Sequence, residues 1–293
     1  MAKAKGLLYL RKGALSSALI VALFALGIAM LPYEWLGNLL IGEEGRVASF
    51  TGIAIIRVVG FALLCAACVS LRFSVFRPLG NCSVKQLLLC IPFLLVVVNN
   101  APWIALLTGQ ASVDASGAEI ATFLVQCLCV AAFEELALRG IVLPLSLVGS
   151  KKSRGGVFFA LMYSSAIFAL MHLVNLFNGA GFPAVISQVG YTFLIGAMCG
   201  LVMLKTHNLW LCILLHFVYN AGGLLIETLG AAGSQLWDTP TVIITVVLSV
   251  LVTGYGAWQY LRLAPESVKP LYEIPEDEEA CVQVGEDVPP KQG

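Results

Sequence analysis

Charge is what this sequence has least of. Only 12% of its residues are Asp, Glu, Lys or Arg, against about a quarter in an ordinary soluble domain. Hydrophobic residues make up 59% of the chain, and its mean hydropathy is +0.91. That shortage excludes a pair of water-soluble domains, although the length would accommodate them. Apolar runs of about 18 residues or more recur along the chain, and each reads as a membrane span. The net charge is zero, so the average says nothing about an acidic or basic partner. The basic loops are too modest to read as a nucleic-acid surface.

Paired cysteine motifs are also missing. Nine cysteines are present, mostly inside apolar runs, where a thiol behaves as a small hydrophobe. Cys65 and Cys68 have CxxC spacing, but no second pair accompanies them, which argues against a metal knuckle. No small-residue cleavage site follows the first apolar run, so that run reads as a retained span rather than a leader. No internal repeat is visible. The acidic stretch at the end, PEDEEACVQVGEDVPPKQG, reads as a disordered cytoplasmic tail over 264–293, leaving 1–263 as the membrane domain.

What is there reads as an all-α, polytopic membrane protein of about eight spans. They are placed near 14–33, 48–71, 86–108, 119–148, 155–177, 182–204, 208–230 and 239–262. The fourth is too long for one straight crossing and is expected to tilt, or to break near Gly140 and Pro144. Positive charges then fall on one side: Lys3, Lys5, Arg11 and Lys12; Arg72, Arg77 and Lys85; Lys151, Lys152 and Arg154; Lys205; and Arg262, Lys269 and Lys291. The opposite loops carry Arg46 alone. By the positive-inside rule both termini are cytoplasmic, with a bacterial cytoplasmic membrane as the default location.

An ionisable side chain at mid-membrane costs about 2.5–3.5 kcal/mol on insertion scales, so those that occur mark a pair or a cavity. The fourth span holds Glu134, Glu135 and Arg139 in AAFEELALRG. Glu135 and Arg139 are four residues apart and share a helix face, as an ion pair would require. Glu134 points about 100° away and is left free for a cavity. Two of the three histidines in the chain lie deep in spans. His172, in FALMH, has Asn175 as a local candidate partner. His216 and Asn220, in HFVYN, sit one turn apart on one face and can aim two donors at one point. The blander reading of His172 is a satisfied core histidine, and that of His216 and Asn220 an interhelical polar clamp worth under ~1–2 kcal/mol. Arg57 in the second span admits snorkelling, a carboxylate partner or substrate binding; Asn99 and Asn100 read as structural.

These residues resemble a family. EELALRG carries the EExxxR signature of the CAAX protease and bacteriocin-processing family, also called CPBP or Abi. FALMH carries its FxxxH motif, and HFVYN its HxxxN motif. The three occur in order, on the fourth, fifth and seventh spans, over roughly residues 120–225. The resemblance implies an intramembrane endopeptidase of the type II CAAX prenyl protease kind, with eight spans around a catalytic cavity open to the cytoplasm. Its substrate would be a prenylated CAAX-type protein or a small peptide precursor, and its other partner the lipid bilayer. The family also holds non-proteolytic scaffolds and bacteriocin self-immunity proteins, which form the alternative.

Peptide hydrolysis needs an activated water and a stabilised oxyanion. On the family's pattern, Glu134 is the general base and His172 helps hold the water. His216 and Asn220 donate to the oxyanion, while Glu135 and Arg139 support them. No cofactor is favoured. A zinc account would use Glu134, His172 and His216 as ligands, but the HExxH spacing is absent. A Cys127 nucleophile has little to recommend it in apolar surroundings. An ion-coupled transporter would explain buried Glu, His and Arg, yet the repeats expected of one are missing.

Overall fold

The computed structural model describes residues 13–232 and 239–272. It is an all-α membrane fold, since in lipid a helix satisfies its own backbone N–H and C=O groups. The chain runs through α1 (Ala14–Ala29), α2 (Tyr33–Ile41), α3 (Arg46–Leu71), α4 (Val84–Asn99), α5 (Trp103–Leu107), β1 (Ala111–Val113) and α6 (Gly117–Glu135). A π-helical segment, Leu136–Val142, leads into α7 (Leu143–Val148). Then come α8 (Arg154–Met171), a 3-10 turn (His172–Leu176), α9 (Phe182–Thr206), α10 (Leu209–Leu229), β2 (Gly230–Ala232) and α11 (Thr239–Leu261). Several starts are set by side chains that accept from free N–H groups of the first turn. Ser83 and Ser116 form capping boxes with Gln86 and Glu119, and Ser153 and Asn208 cap α8 and α10.

Each expected span coincides with a helix, though the count of eight is not confirmed. Among the described residues, 6 helices are long and apolar enough to cross a membrane, or 7 if the bent α1–α2 pair is one span. Prolines cause the shortfall. A proline disfavours helical geometry in the residue before it. Leu31–Pro32 ends α1 after 16 residues, and α2 leaves at 44°. Pro102 likewise separates α4, also 16 residues, from the five-residue α5.

The fourth span does not break at Gly140 or Pro144. It continues for 32 residues, from Gly117 to Val148, by opening into the π turn. That wider turn lies just ahead of Pro144, which has no N–H to give to a helical bond. All the residues from Leu136 to Leu147 are buried, and with Cys199–Leu204 and Leu211–Ile213 they form the densest part of the core.

Two glycines let neighbouring helices approach the site. A Cβ at Gly60 would stand 2.5 Å from the Phe133 ring, and one at Gly196 would stand 3.3 Å from Arg139 Nη2. At the other end, β1 and β2 pair antiparallel, Ser112 opposite Ala231, and tie the start of α6 to the end of α10. Of the segment read as tail from 264 onward, Pro265–Leu271 forms a 3-10 helix that buries Val268 and Leu271. The remainder, 273–293, lies outside the described residues, as do Lys3, Lys5, Arg11, Lys12 and Cys281.

Candidate active site

Glu134 and Glu135 end α6, Arg139 lies in the π segment, and His172 opens the 3-10 turn after α8. His216 and Asn220 lie on α10. The two adjacent carboxylates have different surroundings. Glu135 is fully buried, and its Oε1 accepts from Arg139 Nη1 at 2.9 Å. The same oxygen stands 2.8 Å from His216 Nδ1. Glu134 retains 20% of its side-chain exposure, and its Oε2 faces His216 Nε2 at 3.7 Å. The His216 ring thus lies between the two carboxylates.

The acceptors fix the tautomers. Glu135 next to Nδ1 of His216 calls for a proton on that nitrogen. Nε2 of His216 is then turned toward Glu134. His172 Nδ1 is 2.9 Å from the Phe168 carbonyl oxygen, which can only accept. Its proton is therefore on Nδ1 as well, and neutral His172 presents a lone pair at Nε2.

Phe168 joins these groups. The Arg139 guanidinium lies 4.7 Å above its ring centre, and the rings of His172 and His216 meet its edge at 5.0 and 5.7 Å. Sequence reasoning gave Phe168 no role, although it is the first residue of FALMH. The His216–Glu135 contact was also missed, since it joins helices far apart in the chain.

The structure brings Glu134, Glu135, Arg139 and His216 together. No hydrogen bond or ion pair joins His172 to Glu134 or engages the Asn220 side chain, among the described residues. Asn175, expected beside His172, instead donates to Gln188 Oε1 at 2.7 Å, because its 3-10 turn faces the start of α9. Asn99 donates to Thr245 Oγ1 and Asn100 to the Tyr219 carbonyl, each at 2.9 Å. Arg57 reaches the carbonyls of Ile28 and Ala29 where α1 ends, at 3.4 and 3.3 Å, and lies over Phe133. A cation there complements the negative end of a helix. Cys127 packs with Phe50, Phe123 and Leu229.

The zinc set Glu134, His172 and His216 does not fit this geometry. Among the described residues no three His, Cys, Asp or Glu side chains converge as a metal site requires. Beside the cluster lies an apolar cavity of about 540 Å³ between α4, α8, α9, α10 and α11. Tyr219, the residue before Asn220, lines it together with Leu161, Leu194 and Ser249.

Residues 116–222 match the family model described as type II CAAX prenyl endopeptidase Rce1-like. The matched segment starts at Ser116, the cap of α6, and ends on α10 just past Asn220, so it contains all three motifs. No curated protein and no solved structure matches the chain. The segment that builds this cluster is thus similar to the type II CAAX prenyl endopeptidase family.

Proposed function

We propose that the protein is a metal-independent intramembrane endopeptidase in which Glu134 activates the attacking water. One observation carries this reading: of two neighbouring carboxylates, Glu135 is fully buried and engaged by Arg139 and His216, while Glu134 is partly accessible. A general base needs that freedom. Glu134 takes a proton as the water oxygen bonds to the scissile carbonyl carbon. His172 Nε2 accepts the water's other hydrogen and orients it. The oxyanion forms against the Asn220 amide beside His216, whose ring Glu135 orients through Nδ1. Glu134 then returns its proton to the departing amine as the C–N bond breaks.

The substrate is a prenylated CAAX-type protein or a small peptide precursor. A lipid tail is compatible with the apolar cavity beside Tyr219, whose volume lies within the range of about 300–1,000 Å³ common to ligand sites. The test uses purified protein in detergent and a fluorescence-quenched farnesylated CAAX peptide, beside its non-prenylated form. Cleavage by the wild type that Glu134→Ala abolishes supports the reading. A Glu134→Ala variant with full activity rejects it. No cleavage of either peptide by the wild type would favour the scaffold or self-immunity reading for these substrates.

A further inference from the structure

The cavity beside Tyr219 is long as well as apolar. Along α11 its wall runs from Thr245 to Leu261, about 24 Å of helix at 1.5 Å per residue. Among the described residues of α11 only Thr241 is buried. One lightly packed helix therefore stands between this cavity and the surrounding lipid.

The two ends of the cavity differ. At the Tyr219 end the polar groups satisfy one another, since Asn99 donates to Thr245 Oγ1 and Asn100 to the Tyr219 carbonyl. The other end is walled by Phe158, Leu201, Tyr260 and Leu261. Three cations stand there. Arg154 begins α8 one turn before Phe158, Lys205 lies one turn beyond Leu201 on α9, and Arg262 follows Leu261. The Tyr260 hydroxyl donates to the Arg154 carbonyl oxygen, and the Phe158 and Tyr260 rings meet at 5.5 Å, which joins the start of α8 to the end of α11. Arg262 lies 4.1 Å above the Trp258 ring and is close enough for its charge to repel that of Lys205. Among the described residues no carboxylate pairs with Arg154, Lys205 or Arg262. Glu266, the acid nearest to Arg262 in the sequence, is engaged by Lys269 at 3.0 Å.

A plain hydrocarbon chain in the cavity would leave these repelling cations without a counter-charge. We propose that the cavity binds an anionic phospholipid, with one acyl chain lying along α11, the phosphate at Lys205 and Arg262, and Arg154 at the rim. Basic pockets between transmembrane helices recognise such headgroups. By the positive-inside rule the three cations face the cytoplasmic leaflet, where anionic lipids lie. The inference does not rest on Glu134 as the base. The tail of a lipidated substrate entering beside Tyr219 would share this space, so phospholipid and substrate tail exclude one another.

The test is binding of fluorescent phosphatidylglycerol to the purified protein in neutral detergent, beside phosphatidylcholine with the same chains, and with glycerol phosphate as a competitor lacking chains. Phosphatidylglycerol is expected to bind at least about tenfold more tightly than phosphatidylcholine. Lys205→Gln combined with Arg262→Gln should bring the two lipids to similar affinity. Ser249→Phe, which fills the cavity and keeps the cations, should weaken binding of both. Lys205→Gln and Arg262→Gln alone, each checked for normal folding, should each lose part of the preference, so the test stands even where the double variant does not fold. Equal affinity of the wild type for the two lipids overturns the proposal, as does a preference that survives loss of both cations. Unchanged binding by Ser249→Phe would reduce the site to attraction at the surface and overturns it as well. So does displacement of phosphatidylglycerol by glycerol phosphate, which would make the anion alone the ligand.

Discussion

Nδ1 of His216 stands 2.8 Å from Oε1 of Glu135, across two helices whose sequences are separated by 81 positions. That contact gives Glu135 two partners, the imidazole and the Arg139 guanidinium, and leaves its neighbour Glu134 accessible. The difference between the two carboxylates underlies the predictions that follow.

Removing Glu135 should damage the fold as well as the chemistry. Glu135→Ala leaves Arg139 buried without its carboxylate, and breaking such a pair costs about 3–5 kcal/mol. Thermal unfolding in detergent should show a lowered midpoint and reduced folded yield, as should Arg139→Ala. Glu134→Ala should unfold near the wild-type temperature. Equal midpoints for Glu135→Ala and the wild type would contradict the structural role of the pair.

Phe168 should matter more than an ordinary core phenylalanine. Phe168→Leu keeps an apolar side chain but removes the face under Arg139 and the edge against both histidines. A desolvated cation–π contact is worth about 2 kcal/mol. A comparable loss of stability and a roughly tenfold or greater fall in kcat are expected, tenfold being about 1.4 kcal/mol. Unchanged kinetics would remove Phe168 from the site.

The polar residues of the candidate site stand out in the sequence for a physical reason. A charge inside an apolar run is expensive, so Glu134, Glu135, Arg139, His172 and His216 stand out from their neighbours. The four-residue spacing of Glu135 and Arg139 gives their pairing, because it depends on one helix alone. Contacts between helices were not legible. The meeting of His216 with Glu135 depends on how α6 and α10 pack, and Asn175 found Gln188 on a helix whose position no spacing reveals. The helices are shorter than full spans where Pro32 and Pro102 cut apolar runs that hydropathy treats as continuous. The long fourth span was recognised, but periodicity does not distinguish a break from a π turn.

The apolar cavity yields a prediction about lipid. Ser249 lines it from α11, a helix whose membrane-length window is only 6% buried, so a larger side chain there can be tolerated by the fold. Ser249→Phe should weaken cleavage of a farnesylated peptide, seen as a raised KM, and leave a non-prenylated peptide unaffected. An equal effect on both peptides would dissociate the cavity from a lipid tail.

Because the three candidate ligands do not converge, chelation should leave cleavage intact. Dialysis against a strong zinc chelator, followed by the peptide assay, should give wild-type rates. A loss that added zinc restores would place Glu134, His172 and His216 around a metal.

The most direct measurement is the cleavage rate of Glu134→Gln beside Glu135→Gln and the wild type, each normalised to folded protein. The amide keeps the size of the side chain but cannot take a proton from water. The account predicts that Glu134→Gln folds with normal yield and loses cleavage by at least about a hundredfold, the lower end of what a general base contributes. Folded Glu134→Gln protein that cleaves at the wild-type rate would contradict it.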